Sequence, residues 1–402
     1  MEDLLVLTNL YIDNFKAFNR FKIHFKQYLT VLIGTNAVGK SSVLQAIDLL
    51  YYFATNNLDG YLSKHNWKAS ELKGKSSRSK RNINFSVHFR VDNHELEWSF
   101  TLVARKDELI CMKERVLETK TNAVLLLKDT KNMRWFDSAK GDFQEFPEIQ
   151  LKGSMLSLIG SSQEEFVHRF PQLSSLKKNV LSIKSFESLS PEHMRKTSRY
   201  DANDLGLGGE RLGAFLHTLP NEKKSLINKK LKNYYPYFEA INTKKRQYGH
   251  VQLNIGEKLP NISAYNVNAN YISDGLLRII ALVSLEALDD DHRILLLDEI
   301  EDGINPNLAA ELVDNLRRIG KNKQIIVTTH SPVILNYFDK ESIVFLWRDR
   351  EGRVKSQNMF ESPKLSEELK FMNAGEIWLN FDPEEIEDAL EKTLDDGEDH
   401  DD

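Results

Sequence analysis

The 402-residue chain has one cysteine, Cys111, which excludes an intramolecular disulfide and leaves a structural zinc site short of thiolates. It also lacks long apolar runs; none approaches the ~18 residues that a membrane-spanning helix requires. The first residues, Met1-Glu2-Asp3-Leu4-Leu5, have neither the basic region nor the apolar stretch of a secretory leader, so a cytoplasmic location is expected. No internal repeat is present. What is there is 41% hydrophobic and 28% charged, enough for a large core spread over two lobes.

The net charge of −5 hides an asymmetry. From Phe381 to Asp402 there are 12 acidic residues against Lys392 alone, so the remainder carries about +6. One basic cluster holds Lys64, Lys68, Lys73, Lys75, Arg78, Lys80 and Arg81, with Ser76, Ser77 and Ser79 between them. A second holds Lys223, Lys224, Lys229, Lys230, Lys232, Lys244, Lys245 and Arg246. Such clusters fit nucleic-acid phosphates, but taken singly each reads first as a solvated loop or helix face. The acidic end is expected to be mobile from Thr393, where Leu394 is the last large apolar residue.

Four short segments carry chemistry. Gly34-Thr35-Asn36-Ala37-Val38-Gly39-Lys40-Ser41 is a complete G-x-x-x-x-G-K-[ST] phosphate-binding loop. The apolar, β-branched run Tyr28–Ile33 before it predicts a buried strand. Helical spacing of apolar residues from Ser42 to Leu50 after it predicts a helix. Strand, loop and helix in that order let successive backbone N–H groups wrap phosphates. Gly34, Asn36, Gly39, Lys40, Ser41 and Ser42 are the expected nucleotide contacts, with Lys40 on the β- and γ-phosphates and Ser41 on Mg²⁺.

Ile294–Glu299 reads as a second buried strand that ends in two carboxylates, and Ile325–His330 as another that ends in a histidine. Ligands of open α/β sheets bind at the carboxyl ends of strands. Asp298 is therefore the second expected metal ligand, Glu299 the base toward an attacking water, and His330 a contact to the γ-phosphate. A strand-end Asp-Glu or Thr-Thr-His is common for structural reasons; following a phosphate loop, both gain meaning. Ser273-Asp274-Gly275 opens the apolar helix Leu276–Leu282. Its plain reading is a serine N-cap, and a capped helix N-terminus is also an anion site. Ser273, Asp274 and Gly275 are expected to meet the ATP of a second copy rather than their own.

Along the chain, residues 1–55 read as the start of an α/β nucleotide fold. Alternation at Ile83, Phe85, Val87 and Phe89, and at Leu96, Trp98 and Phe100, predicts an antiparallel sheet from Asn82 to about Phe146. Residues 163–246 read as helical, with Leu212, Phe215, Leu216 and Leu219 at helical spacing. Residues 270–345 return to alternating helices and apolar strands, the pattern of a parallel sheet.

These motifs, with Ile12-Asp13-Asn14-Phe15-Lys16 and Thr329-His330-Ser331-Pro332, resemble the ABC-type ATPase heads of the RecF, SMC and OLD group, particularly stand-alone OLD-like ATPases. The resemblance covers residues 1–55 and 270–345. It implies an α/β P-loop fold with an ABC-type head, in which an antiparallel β lobe joins the parallel core sheet, plus a helical lobe. The implied division is 1–150 for the first half of the head, 151–269 for a helical insertion lobe, 270–380 for the second half and 381–402 for an acidic tail. Ala37 departs from the pattern where many members have glycine, as does Asn305-Pro306 where similar ATPases often have His-Pro. The family's glutamine loop has Gln163 as its only, weak candidate.

The implied activity is ATP hydrolysis with ATP and Mg²⁺, in a homodimer or higher homo-oligomer. The 72 residues after His330 are too few for the TOPRIM nuclease that OLD proteins carry, and no heptad run matches SMC arms. The leading expectation is a sensor that controls a separate effector, a TOPRIM-type nuclease being one form, in anti-phage defence. A RecF-like DNA-binding repair ATPase and a nucleotide-dependent scaffold with little turnover are the alternatives.

Overall fold

Runs of apolar, largely β-branched residues suit a sheet covered on both faces, and the computed structural model builds one from them. It describes residues 6–74, 82–91, 93–129, 132–146, 151–160, 164–187, 189–200 and 202–398. The core sheet runs in the order Ile183–Phe186, Ile294–Leu297, Gln324–Thr328, Leu29–Gly34, Ile343–Arg348 and Val354–Asn358. The first five strands are parallel and the last is antiparallel. Alternate side chains enter two different cores. Leu32, Leu296, Ile326 and Val344 face one; Val31, Leu297, Val327 and Phe345 face the other.

The first core is shared with the helix Lys40–Ala54 and an eight-stranded antiparallel sheet. The strands expected between Asn82 and Phe146 are there, with Ile83, Phe85, Val87 and Phe89 buried. The same sheet also takes in Val6–Asp13 and Phe21–His24. Gln324 stitches it to the core sheet. Its fully buried amide accepts from the Leu7 N–H at 2.9 Å and donates to the Leu7 carbonyl at 2.8 Å and the Lys26 carbonyl at 2.9 Å. The clamp falls where a register shift between Leu7 and Asn9 breaks the regular ladder, so the side chain serves backbone groups at the irregularity.

The helical reading of residues 163–246 needs correction. Helices stand at Pro171–Leu181, Leu212–Thr218 and Asn221–Tyr234. Ile183–Phe186, however, is a strand of the core sheet, and Phe238–Lys245 pairs antiparallel with His250–Glu257. The first is short and both mix polar with apolar residues, so periodicity alone misassigns them. Before Thr393 the acidic end is anchored to the fold. Pro383–Glu398 is one helix, held by Ile386, Ala389 and Leu390, which are buried in the second core at helical spacing. Gln163 and the stretch Lys75–Arg81 lie outside the described residues.

Candidate functional site

The phosphate loop leaves a buried strand and enters a helix through backbone conformations that its sequence allows. Gly34 has φ +146°, and a Cβ there would lie 2.3 Å from the Leu346 carbonyl oxygen. Gly39 has φ +121° and a Cβ would lie 3.0 Å from the Phe18 ring. Both positions require glycine. Ala37 adopts φ 60°, the left-handed conformation that glycine takes without strain, so the departure from the family pattern preserves the loop's path. Arg348 donates to the Ala37 carbonyl at 3.3 Å and braces the loop from a neighbouring strand. Thr35, Asn36 and Ala37 are exposed at its tip.

Lys40 is buried, and its ammonium donates to the Gly34 carbonyl at 2.9 Å and the Thr35 carbonyl at 3.0 Å. Burial lowers its pKa to about 8, against the opposing pull of Asp298, Glu299 and Glu301. Those three carboxylates are thus close enough to act on the loop's cation. The strand pairing explains why: Leu297 registers with Val327, Val327 with Val31 and Thr328 with Leu32, so three strand ends open on one side.

Thr328, which sequence reasoning passed over for its neighbours, organises that side. Its hydroxyl donates to Asp298 Oδ1 at 2.5 Å and accepts from the Glu299 N–H at 2.8 Å. A polar residue closing an otherwise apolar buried strand was the signal. Glu299 has φ 47°, strained for a non-glycine residue, which a site held by its surroundings tolerates. Its carboxyl is exposed, and partial burial with Asp298, Asp302 and Glu301 nearby raises its pKa, which His330 opposes. The His330 ring is exposed, while its backbone N–H donates to Glu301 at 2.5 Å. Glu301 was also missed.

Ser273, Asp274 and Gly275 stand at the start of the helix Asp274–Ser284, Ser273 accepting from the Leu276 N–H at 3.4 Å. Arg195 holds Asp274 at 2.5 Å and the Ile272 carbonyl at 2.8 Å. A Cβ on Gly275 would lie 2.4 Å from the Gly303 carbonyl, and Arg278 pairs with Asp302 at 3.2 Å. This helix is therefore packed on the loop that follows Asp298-Glu299, and these contacts do not touch the phosphate loop. Asn305 caps the short turn at Pro306, its side chain accepting from the Asn307 N–H at 3.0 Å, and both residues are exposed.

The basic clusters divide. Lys64 is engaged with Asp48 at 2.6 Å and Glu187 at 2.9 Å and is not a solvated charge. Lys223 donates to the Ala287 carbonyl, Lys224 to the His217 carbonyl, and Lys230 pairs with Glu286, so part of the second cluster serves the fold.

A phosphate loop and two strand-end carboxylates on one parallel sheet, with an exposed serine cap on a nearby helix, define an ABC-type P-loop ATPase head. The family described as "AAA domain, putative AbiEii toxin, Type IV TA system" matches residues 29–336, and the chain belongs to it. It is 23% identical to the retron Ec83 probable ATPase of Escherichia coli, over 90% of this chain and 73% of that protein. It is 20% identical to the Septu protein PtuA of Bacillus thuringiensis, over 87% and 78%. Among solved structures, an Smc head bound to the C-winged helix domain of ScpA matches with a TM-score of 0.57 at 14% identity, over 88% of this chain and 99% of that one. An Smc head domain with an extended coiled coil, bound to the C-terminal domain of ScpA and derived from Pyrococcus furiosus, gives 0.52 at 12%, over 91% and 100%. These two carry the fold. Among the described residues, no helix is long and apolar enough to cross a membrane.

Proposed function

We propose that this ATPase closes around ATP as a homodimer and uses the cycle of closure and hydrolysis to control a separate effector, a nuclease, in cytoplasmic anti-phage defence. The observation that carries the chemistry is the Thr328 hydroxyl, shared between Asp298 and the Glu299 backbone beside a phosphate loop whose lysine feels both carboxylates. The exposed loop tip, the buried Lys40 cation and the adjoining half-buried hydroxyls of Ser41 and Ser42 suit a triphosphate. Ser41 and Asp298 supply hard oxygen donors of the kind Mg²⁺ takes, and Thr328 fixes the Asp298 carboxylate. Bound there, the ion would neutralise charge on the phosphates.

Lys40 orients the β- and γ-phosphates. Glu299, with its raised pKa, accepts the proton of the attacking water, and His330, whose charge acts on Glu299, is assigned to that water or the γ-phosphate. Ser273, Asp274 and Gly275 are exposed or half-buried and bound within their own lobe, which supports a role on a partner's nucleotide. The effector rests on the relatives' names, retron ATPases and Septu PtuA, and on the resemblance to stand-alone OLD-like ATPases.

Glu299→Gln tests the reading. The variant keeps Asp298 and the side-chain size, so it should bind ATP as the wild type does, lose at least 100-fold in turnover and sediment as a dimer with ATP. Wild-type turnover in the variant would remove Glu299 from the mechanism. A monomer with bound ATP would remove the closed dimer.

A further inference from the structure

On the outward face of the antiparallel sheet lies an open groove of about 730 Å³, well apart in sequence from the nucleotide motifs. Its walls include Lys73, Arg105, Lys106 and Lys113, with Asn82, Asn84 and Thr101 between them and no acidic residue. Asn84 registers with Thr101 and Thr101 with Lys113, so the lining crosses three adjacent strands. Arg105, Lys106 and Lys113 are exposed and Lys73 is half-buried. Among the described residues, none of these four cations has an ion-pair partner, unlike Lys64, Lys152 and Lys230. The nearby acids Asp107 and Glu108 line a different hollow with Lys152.

Four cations that line one groove without forming an ion pair repel one another, and an anion with spaced charges relieves that repulsion. We propose that this groove binds the phosphodiester backbone of duplex nucleic acid without reading its sequence. The lining favours a backbone over other anions. It holds no aromatic side chain on which unpaired bases would stack, which argues against a single strand. Arg105 and Lys106 adjoin at a strand end and its turn, Lys113 lies on the next strand opposite Thr101, and Lys73 follows the short turn Ala69–Leu72. Cations spread along the groove in this way do not converge on one carboxylate-sized point, which argues against an acidic peptide. Amides and a hydroxyl between the cations are the side chains that accompany Lys and Arg on phosphate oxygens. The site lies outside the hydrolytic machinery and stands whether or not ATP closes a dimer.

The test is anisotropy of a labelled 20-base-pair DNA duplex on the full chain, with and without ATP, from 50 to 200 mM NaCl. The logarithm of affinity should fall linearly with the logarithm of salt. Lys73→Gln, Arg105→Gln, Lys106→Gln and Lys113→Gln together should flatten that slope by roughly 0.9 per lost phosphate contact, about 2 to 4 in all. The double variant Arg105→Gln/Lys113→Gln should lose about half as much. Lys229→Gln with Lys232→Gln, on an exposed helix face, should leave the slope unaltered, and ATP turnover without DNA should persist in every variant. No duplex binding by the wild type at 50 mM salt in either nucleotide state overturns the proposal. So does a slope that the four substitutions leave unchanged, tighter binding of the single strand, or equal competition by polyglutamate.

Discussion

At the scale of single residues, Lys40 sets a pH limit. Its ammonium is buried against two carbonyls with a pKa near 8, and phosphate oxygens would favour the charged form. Binding therefore takes up a proton once the pH passes about 8, and the sign follows: ATP affinity is full below that pH and weakens above it. The decline should approach tenfold per pH unit until the pKa of the bound state is reached. Calorimetric titrations at pH 7, 8 and 9 read this, and a flat profile would mean that Lys40 stays charged without phosphate. Thr328 offers a second test. Thr328→Val keeps the shape and removes the hydroxyl shared by Asp298 and the Glu299 N–H. Turnover should fall about 10- to 100-fold and the Mg²⁺ requirement should rise, with little change in ATP binding in EDTA. Unchanged Mg²⁺ dependence would show that the hydroxyl does not orient Asp298.

At the scale of elements, the clearest dependence is the Gln324 clamp. Gln324→Leu keeps the bulk but strands the Leu7 N–H and C=O in a dry interior, at a cost of about 1–3 kcal/mol for each group left unpaired. The urea midpoint should drop correspondingly while the denaturant slope holds, and a stability loss below about 1 kcal/mol would mean that the bulge finds other partners. This clamp was not legible in the sequence: Gln324 opens an apolar strand, and its partner lies over 300 positions away. What was legible follows one rule. Strands buried on both faces, such as Ile294–Leu297, and strands with strict alternation, such as Asn82–Val91, announce themselves by composition or period. Ile183–Phe186 did neither, because Lys184 and Ser185 interrupt it, yet it forms the edge beside the strand leading to Asp298. The acidic helix Pro383–Glu398 was hidden by its own charge; only Ile386, Ala389 and Leu390 mark its buried stripe. For the site, the sequence nominates residues of contiguous motifs, and Thr328, Glu301 and Arg278 escape it, since their contacts are hydrogen bonds and packing between segments.

At the scale of the whole molecule, the question is whether one chain holds a complete site. The helix behind Ser273 is tied to its own lobe through Gly275 on Gly303 and Arg278 on Asp302. In the proposed dimer its exposed N-terminus would shift together with the loop after Glu299, coupling closure on a partner's nucleotide to the position of the proposed base. Two lesions on different chains test this arrangement. Lys40→Ala removes the side-chain cation aimed at the phosphates, and Ser273→Arg puts a bulky cation where the small hydroxyl would meet the partner's phosphate. Each homodimer should be inactive. A mixed dimer places both lesions in one site and neither in the other, so mixing equal amounts should restore about a quarter of the wild-type rate per chain, if half the dimers are mixed and half their sites intact. The recovered rate should depend on the square of total protein at low concentration. No recovery on mixing, together with full activity of Ser273→Arg alone at every concentration, would mean that each chain hydrolyses ATP by itself.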